Sequence, residues 1–365
     1  MSTSPLFHAA KINQLQLTNR LVVAPMTRVS ASEDGIASER MVRYYEDFAR
    51  GGFGLTISEG IYIDDQWSQT YAFQAGMINA RQAEAWRKVT DAVHRQGGKI
   101  LAQIQHAGAL SQGNHYQHET VAPSAIQPLG EQLPFYRGEG DYPQPRALSD
   151  AEIHQIIDSF ADAAERAIKD GGFDGIEIHG ANGYLLDQFL TRYTNQRSDK
   201  WGGDTAGRMT LNLAVIAAVR ARIGDTVPLG IRISQAKVND FQHKWQHGEA
   251  DARTVFSLLG DSAIDYIHVT EHEAWQPAFA ESPLSLAALA RQFAPGKILI
   301  ANGGLHQVDK AERLLDQGAD LIALGRGALA NHDWPQRVKN QAPLREFDRT
   351  LLAPIADIKA SELPS

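Results

Sequence analysis

The 365 residues are 43% hydrophobic, enough for a large core, and contain no cysteine, which excludes disulfides, thiolate catalysis, cysteine zinc sites and ordinary iron–sulfur clusters. A net charge of −8 with no dense Lys/Arg tract points away from nucleic acid. The first eight residues carry neither a basic region nor an apolar core of a secretory signal, and no run is long and apolar enough to cross a bilayer, so the expected setting is cytoplasmic, off the membrane.

Short β-rich runs alternate with helical patterns along the chain. Residues 21–24 read as a first strand stopped by Pro25, and an amphipathic helix over 41–50 ends at Gly51-Gly52. A strand at 55–59, a helix over 81–96 closed by Gly97-Gly98, and a strand at 100–105 follow. Residues 107–147 are polar and rich in Gly and Pro, which predicts a long excursion or lid. Ser149 as N-cap and Glu152 as its capping-box partner open a helix to Lys169, and strand four covers 176–179. The rhythm then repeats: helix 208–223, strand 229–233, helix from 250, strand 265–269, helix 284–293, strand 298–301, helix 308–317 and strand 321–324. Eight alternations with no linker predict a single (β/α)8 TIM barrel domain over 1–365, with the excursion after strand three. An open doubly wound sheet has the same element count and is the alternative.

Barrel enzymes keep their functional groups at the carboxyl ends of the strands. After strand four come His179, Asn182 and Tyr184, two N–H donors and an O–H on one glycine-rimmed turn. Such a set can polarise a carbonyl and deliver a proton; a helix-capping histidine and a core tyrosine are the bland alternative. After strands seven and eight, Asn302-Gly303-Gly304 and Gly325-Arg326-Gly327 offer bare amides and a guanidinium, the usual phosphate cradle of barrels, against the alternative of tight turns without a ligand. Gly325-x-Gly327-x-x-Ala330 also fits a dinucleotide fingerprint, but no strand follows to complete a βαβ unit. On strand five, Gly230, Arg232 and Ser234 share one face, and an arginine turned into a barrel needs an anion, either Glu59 or Glu177 or negative charge on a bound ring system. Gln103 likewise points inward, with an amide suited to a heterocycle edge. His268 and His272, with Glu271 and Glu273, raise a metal site, but no H-E-x-x-H occurs.

These motifs together resemble the Old Yellow Enzyme family of FMN-dependent ene-reductases. The likeness runs from Asn19-Arg20 through Ala-Pro-Met-Thr27, Ser-Glu-Gly60, Gln103-x-x-His-Ala-Gly108, His179-x-x-Asn182-Gly-Tyr184, Arg197-x-Asp-x-Trp-Gly-Gly203 and Arg232 to Leu-Gly-Arg326. The resemblance implies non-covalent FMN at the rim, reduced by NADPH or NADH. Pro25, Met26, Thr27, Gly60 and Gln103 would line the pyrimidine and N5 side, Arg232 would face N1/O2, and Gly303, Gly304, Gly325 and Arg326 would take the phosphate. His179 and Asn182 would bind the activating oxygen of an activated alkene, Tyr184 would donate the proton, and Gln105 would lie on the substrate side. No metal is implied. A metal-dependent barrel hydrolase or lyase and a non-catalytic flavin-binding protein are the alternatives.

Overall fold

The computed structural model describes residues 4–363. Eight parallel strands hydrogen-bond in chain order and close on themselves: β1 (Leu21–Val23), β2 (Leu55–Tyr62), β3 (Ile100–Gln105), β4 (Gly175–His179), β5 (Leu229–Ser234), β6 (Tyr266–Thr270), β7 (Ile298–Asn302) and β8 (Leu321–Leu324). Closure pairs Leu21 with Ile322 and Val23 with Leu324, which removes the open-sheet alternative. Helices α1 (Glu39–Arg50), α2 (Ala80–Arg95), α3 (Asp150–Lys169), α4 (Thr210–Ile223), α5 (Glu249–Asp261), α6 (Leu286–Phe293), α7 (Val308–Asp316) and α8 (Trp334–Lys339) follow the strands in turn. Both faces of every strand are therefore covered, and the strands read as near-continuous apolar runs.

Local chemistry sets the element boundaries. At α3 the Ser149 hydroxyl accepts from the Glu152 amide at 3.2 Å while the Glu152 carboxylate accepts from the Ser149 amide at 2.8 Å, the expected capping box. The helix expected from 208 is split into a short turn, Thr205–Arg208, and α4 from Thr210. The excursion at 107–147 is mostly irregular, drawn together by one two-residue strand pair, Val121–Ala122 with Arg146–Ala147. An antiparallel hairpin, Ala10–Ile12 with Leu15–Leu17, was outside the sequence expectations because three-residue strands show no readable period. Among the described residues no helix is long and apolar enough to cross a membrane.

Two layers of different chemistry fill the barrel. At the amino end, Val22, Leu55, Ile57, Leu101, Tyr266, Ile300 and Leu321 pack together, and the hairpin's Ile12 and Leu17 seal that floor. Above it the inward positions turn polar: Gln103, Glu177, Arg232, His268 and Asn302 are all buried. That polar layer lies directly beneath the carboxyl-end rim and the cavity there.

Candidate active site

The turn after β4 carries the expected donors, and its shape follows from two successive left-handed residues. Asn182 has φ 62° and Gly183 has φ 90°, so the chain reverses sharply before the short helix Leu185–Leu190. The Asp187 carboxylate accepts from the Gly183 amide at 2.7 Å and from Lys237 Nζ at 2.8 Å. The Asn182 amide donates to Ser234 Oγ at 2.8 Å, and the Val238 amide donates to the Asn182 carbonyl at 3.0 Å. The turn is thus fastened to the loop that follows β5.

Protonation states follow from burial. The Ala181 amide donates to His179 Nδ1 at 3.3 Å, which puts the ring proton on Nε2. Burial, then the nearby Arg232 and His268, hold the His179 pKa well below its usual value, so the ring is neutral and presents one N–H donor. The Tyr184 hydroxyl lies 2.6 Å from that of Tyr71. Burial pushes Tyr184 up to about 12, opposed by the hydrogen bond from Tyr71, by Arg232 and by Gln105.

The polar layer below decides between the alternatives left open for Arg232. Arg232 forms no ion pair with Glu59 or Glu177; its Nη2 donates to Asn302 Oδ1 at 2.7 Å, and its buried Nε has no partner among the described residues. Glu177 is claimed instead by Gln103 Nε2 at 2.9 Å, His268 Nδ1 at 2.9 Å and the Tyr266 hydroxyl at 3.1 Å. Burial brings Arg232 down to about 10, with Glu177 pulling the other way. Glu59 sits apart, accepting from the Tyr45 hydroxyl at 2.8 Å and the Arg28 amide at 3.4 Å. Gln105, expected on the substrate side, is buried behind the cavity wall, where it donates to Thr70 Oγ1 at 2.8 Å and lies against the Tyr184 hydroxyl.

A cavity of about 570 Å³ opens at the carboxyl-end rim. It brings together His179, Asn182 and Tyr184 with Pro25, Met26, Thr27, Gln103, Arg232, Gly303, Gly304, Gly325 and Arg326. Gly60 is not on its wall: a Cβ there would lie 1.7 Å from Gln105 Oε1, so the glycine makes room for that amide, beside a register shift between β2 and β3. Residues that sequence reasoning missed include the Asn302 side chain, Phe135 and Tyr136 from the excursion, Phe241, and Leu352. Only Asn302 carried a signal, as the polar residue ending a strand; the others sit in irregular segments. His268 is spent on Glu177 while His272 lines the mouth, and among the described residues no group of three or more His, Cys, Asp or Glu could hold a metal ion.

The cavity fits a phosphorylated ring system. Arg326 lines it with no hydrogen bond or ion pair among the described residues, beside Gly303 at φ 136° and Gly304 at φ 66°. Around Gly325 an added Cβ would meet nothing nearer than Met26 Sδ at 3.7 Å, so the backbone there is open to a ligand. Deeper in, Arg232 offers a buried N–H lacking an acceptor, and such an orphan calls for a bound group.

A closed barrel with an anion cradle after its last two strands, a buried guanidinium and paired donors at one rim defines a barrel oxidoreductase of the flavin-binding class. The profile of the NADH:flavin oxidoreductase / NADH oxidase family matches residues 5–345. A probable flavin mononucleotide-dependent alkene reductase of Leishmania infantum is 34% identical, over 91% of this chain and 89% of its own. The NADH oxidase of Thermoanaerobacter brockii is 32% identical over 92% of this chain, which spans only 50% of that longer protein. The solved old yellow enzyme homologue of Zymomonas mobilis superposes with a TM-score of 0.88 at 31% identity, covering 98% of each chain. The chain belongs to the NADH:flavin oxidoreductase family of Old Yellow Enzymes, whose members use FMN with NAD(P)H.

Proposed function

We propose that the protein is an ene-reductase that saturates the activated C=C bond of α,β-unsaturated carbonyl compounds, with nitroalkenes and quinones as further acceptors, and that the whole chain acts as one FMN-binding unit. The observation that carries the proposal is the shared cavity wall of a neutral His179, the Asn182 side chain and the buried Tyr184 hydroxyl. Bound FMN would supply the hydride chemistry, taking hydride from NAD(P)H and giving it to the alkene β-carbon. Arg326 with the amides of Gly303, Gly304 and Gly325 would hold its phosphate. Arg232 would face the electron-rich edge of its ring, and Gln103, fixed by Glu177, would meet the ring with its free carbonyl. Pro25, Met26 and Thr27 would pack beside the ring. Gly60 would contribute only indirectly, by admitting Gln105.

Each substrate group then has a partner in the chain. Charge growing on the substrate's activating oxygen is met by His179 Nε2–H and the side-chain amide of Asn182, and a well-placed donor lowers such a barrier by roughly 2.7–4 kcal/mol. Tyr184, whose high pKa keeps it protonated at neutral pH, gives its proton to the α-carbon. Tyr184→Phe tests the assignment. Enone reduction should fall roughly 10²–10⁴-fold, while quinone reduction, whose oxygens take protons from water, should change little. Equal slowing with both acceptors in stopped-flow traces would remove Tyr184 as proton donor.

A further inference from the structure

We propose that Tyr71 is a positioning residue for the proton-donating step: its hydroxyl, 2.6 Å from that of Tyr184, donates to the Tyr184 oxygen, aims the Tyr184 proton into the cavity and holds the phenolate left behind. The inference rests on Tyr184 as proton donor and goes beyond it by naming what makes that donor effective.

Hydrogen-bond accounting fixes the direction of this contact. Two hydroxyls share one short contact, so only one of their two protons lies between them. Tyr71 is 1% exposed, does not line the cavity, and has no other partner for its hydroxyl among the described residues. If Tyr184 were the donor, the Tyr71 proton would be buried with no acceptor, a cost that the opposite direction avoids. With Tyr71 donating, the Tyr184 proton is left to point at whatever occupies the cavity.

The Tyr71 hydroxyl is held rigidly enough for this work. The Gln74 side chain accepts from the Thr70 amide at 2.8 Å and from the Tyr71 amide at 3.4 Å. Gln69 Nε2 donates to the Tyr71 carbonyl at 3.1 Å, and the Tyr71 ring packs on Tyr136 with centroids 4.3 Å apart. Gln69 and Gln74 are themselves fully buried. Burial drives the Tyr71 hydroxyl well above its usual pKa, so it keeps its proton when Tyr184 gives one up. In the step, the Tyr184 O–H bond breaks, its electron pair stays on the phenolic oxygen, and a C–H bond forms at the α-carbon. Solvent water then returns a proton to Tyr184.

The test compares Tyr71→Phe, Tyr184→Phe and the double variant as FMN holoenzymes. Tyr71→Phe keeps the ring and should slow the limiting rate of flavin reoxidation by an enone about 10–10²-fold, the worth of a charge-assisted hydrogen bond. The enone KM and the long-wavelength band formed with a para-substituted phenol should stay put, because both report His179 and Asn182. The solvent deuterium isotope effect should rise, as proton transfer becomes more limiting, and the double variant should be no slower than Tyr184→Phe alone. If Tyr184→Phe slows enone reduction while Tyr71→Phe does not, or if the two losses multiply, the role of Tyr71 is overturned and that of Tyr184 stands. If Tyr184→Phe itself costs nothing, the proton-donor assignment falls first.

Discussion

His179 and Glu59 show how burial shifts two pKa values in opposite directions and so favours the neutral form of both. The histidine stays neutral because nothing near it favours the cation: Arg232 and His268 both oppose protonation. Glu59 is also fully buried, and burial raises its carboxyl to about 7 despite the Tyr45 hydrogen bond, the Arg28 amide and the Arg28 charge. A carboxyl more basic in the folded chain than in the unfolded one contributes stability below its unfolded pKa, and that stability drains away as pH rises through about 7. Buried neutral histidines run the other way, losing stability as pH falls below about 6.5. Glu59→Gln isolates the first effect: from pH 5 to pH 8 the variant should gain on the parent by on the order of 1–3 kcal/mol. Chemical denaturation at several pH values measures the difference, and a pH-independent gap would mean that Glu59 ionises normally. Of these residues, His179 was legible in the sequence because it ends a strand beside glycines, whereas Arg232's bond to Asn302 joins positions 70 residues apart and left no local trace.

At the scale of elements, the turn after β4 is held by a buried ion pair that reaches it from the loop after β5. Lys237 and Asp187 have side chains 7% and 0% exposed, and Asp187 also accepts from Gly183 and Thr191. Removing the lysine leaves a buried carboxylate without its cation. Lys237→Met should therefore cost about 3–5 kcal/mol and, by loosening the turn at Asn182, weaken phenol binding to the flavin-loaded protein. Full stability with intact phenol affinity would show that the turn holds its shape without the pair. The turn's existence could be read from its glycines, and eight strands and helices from their hydrophobic periods. The lysine could not, because 236–246 has no period and its partner 50 positions away is reached only once β4 and β5 pair side by side.

Over the whole molecule, the cavity is assembled from both ends of the chain. The Arg28 guanidinium, buried beside the cavity, makes two bonds of 2.7 Å to the Glu362 carboxylate and donates to the carbonyls of Ala356 at 3.0 Å and Asp357 at 2.9 Å. The same C-terminal segment meets the excursion where the Ala356 amide donates to the Phe135 carbonyl at 2.8 Å, and Leu352 joins the cavity wall. Glu362→Gln should thus destabilise the protein by about 3–5 kcal/mol, leaving a buried guanidinium uncompensated, and raise the rate at which FMN is lost on dilution. Unchanged melting and FMN retention would reduce the C-terminal segment to a bystander. No periodicity in 340–363 announces this strap, which is fastened by distant partners such as Arg28, Ser30 and Phe135.

The Arg28–Glu362 contact spans 334 positions, and β1 can pair with β8 only after nearly all of those residues exist. At ordinary translation rates the gap between the two side chains leaving the ribosome is roughly 20–70 s. Throughout that interval β1 has an unpaired edge, Arg28 has no carboxylate, and the cofactor's pocket lacks a wall. The full set of walls around the cofactor is therefore available only after β8 and the segment carrying Leu352 and Glu362 have been added. Until then the free edge of β1 has to be kept from edge-to-edge association without the completed pocket.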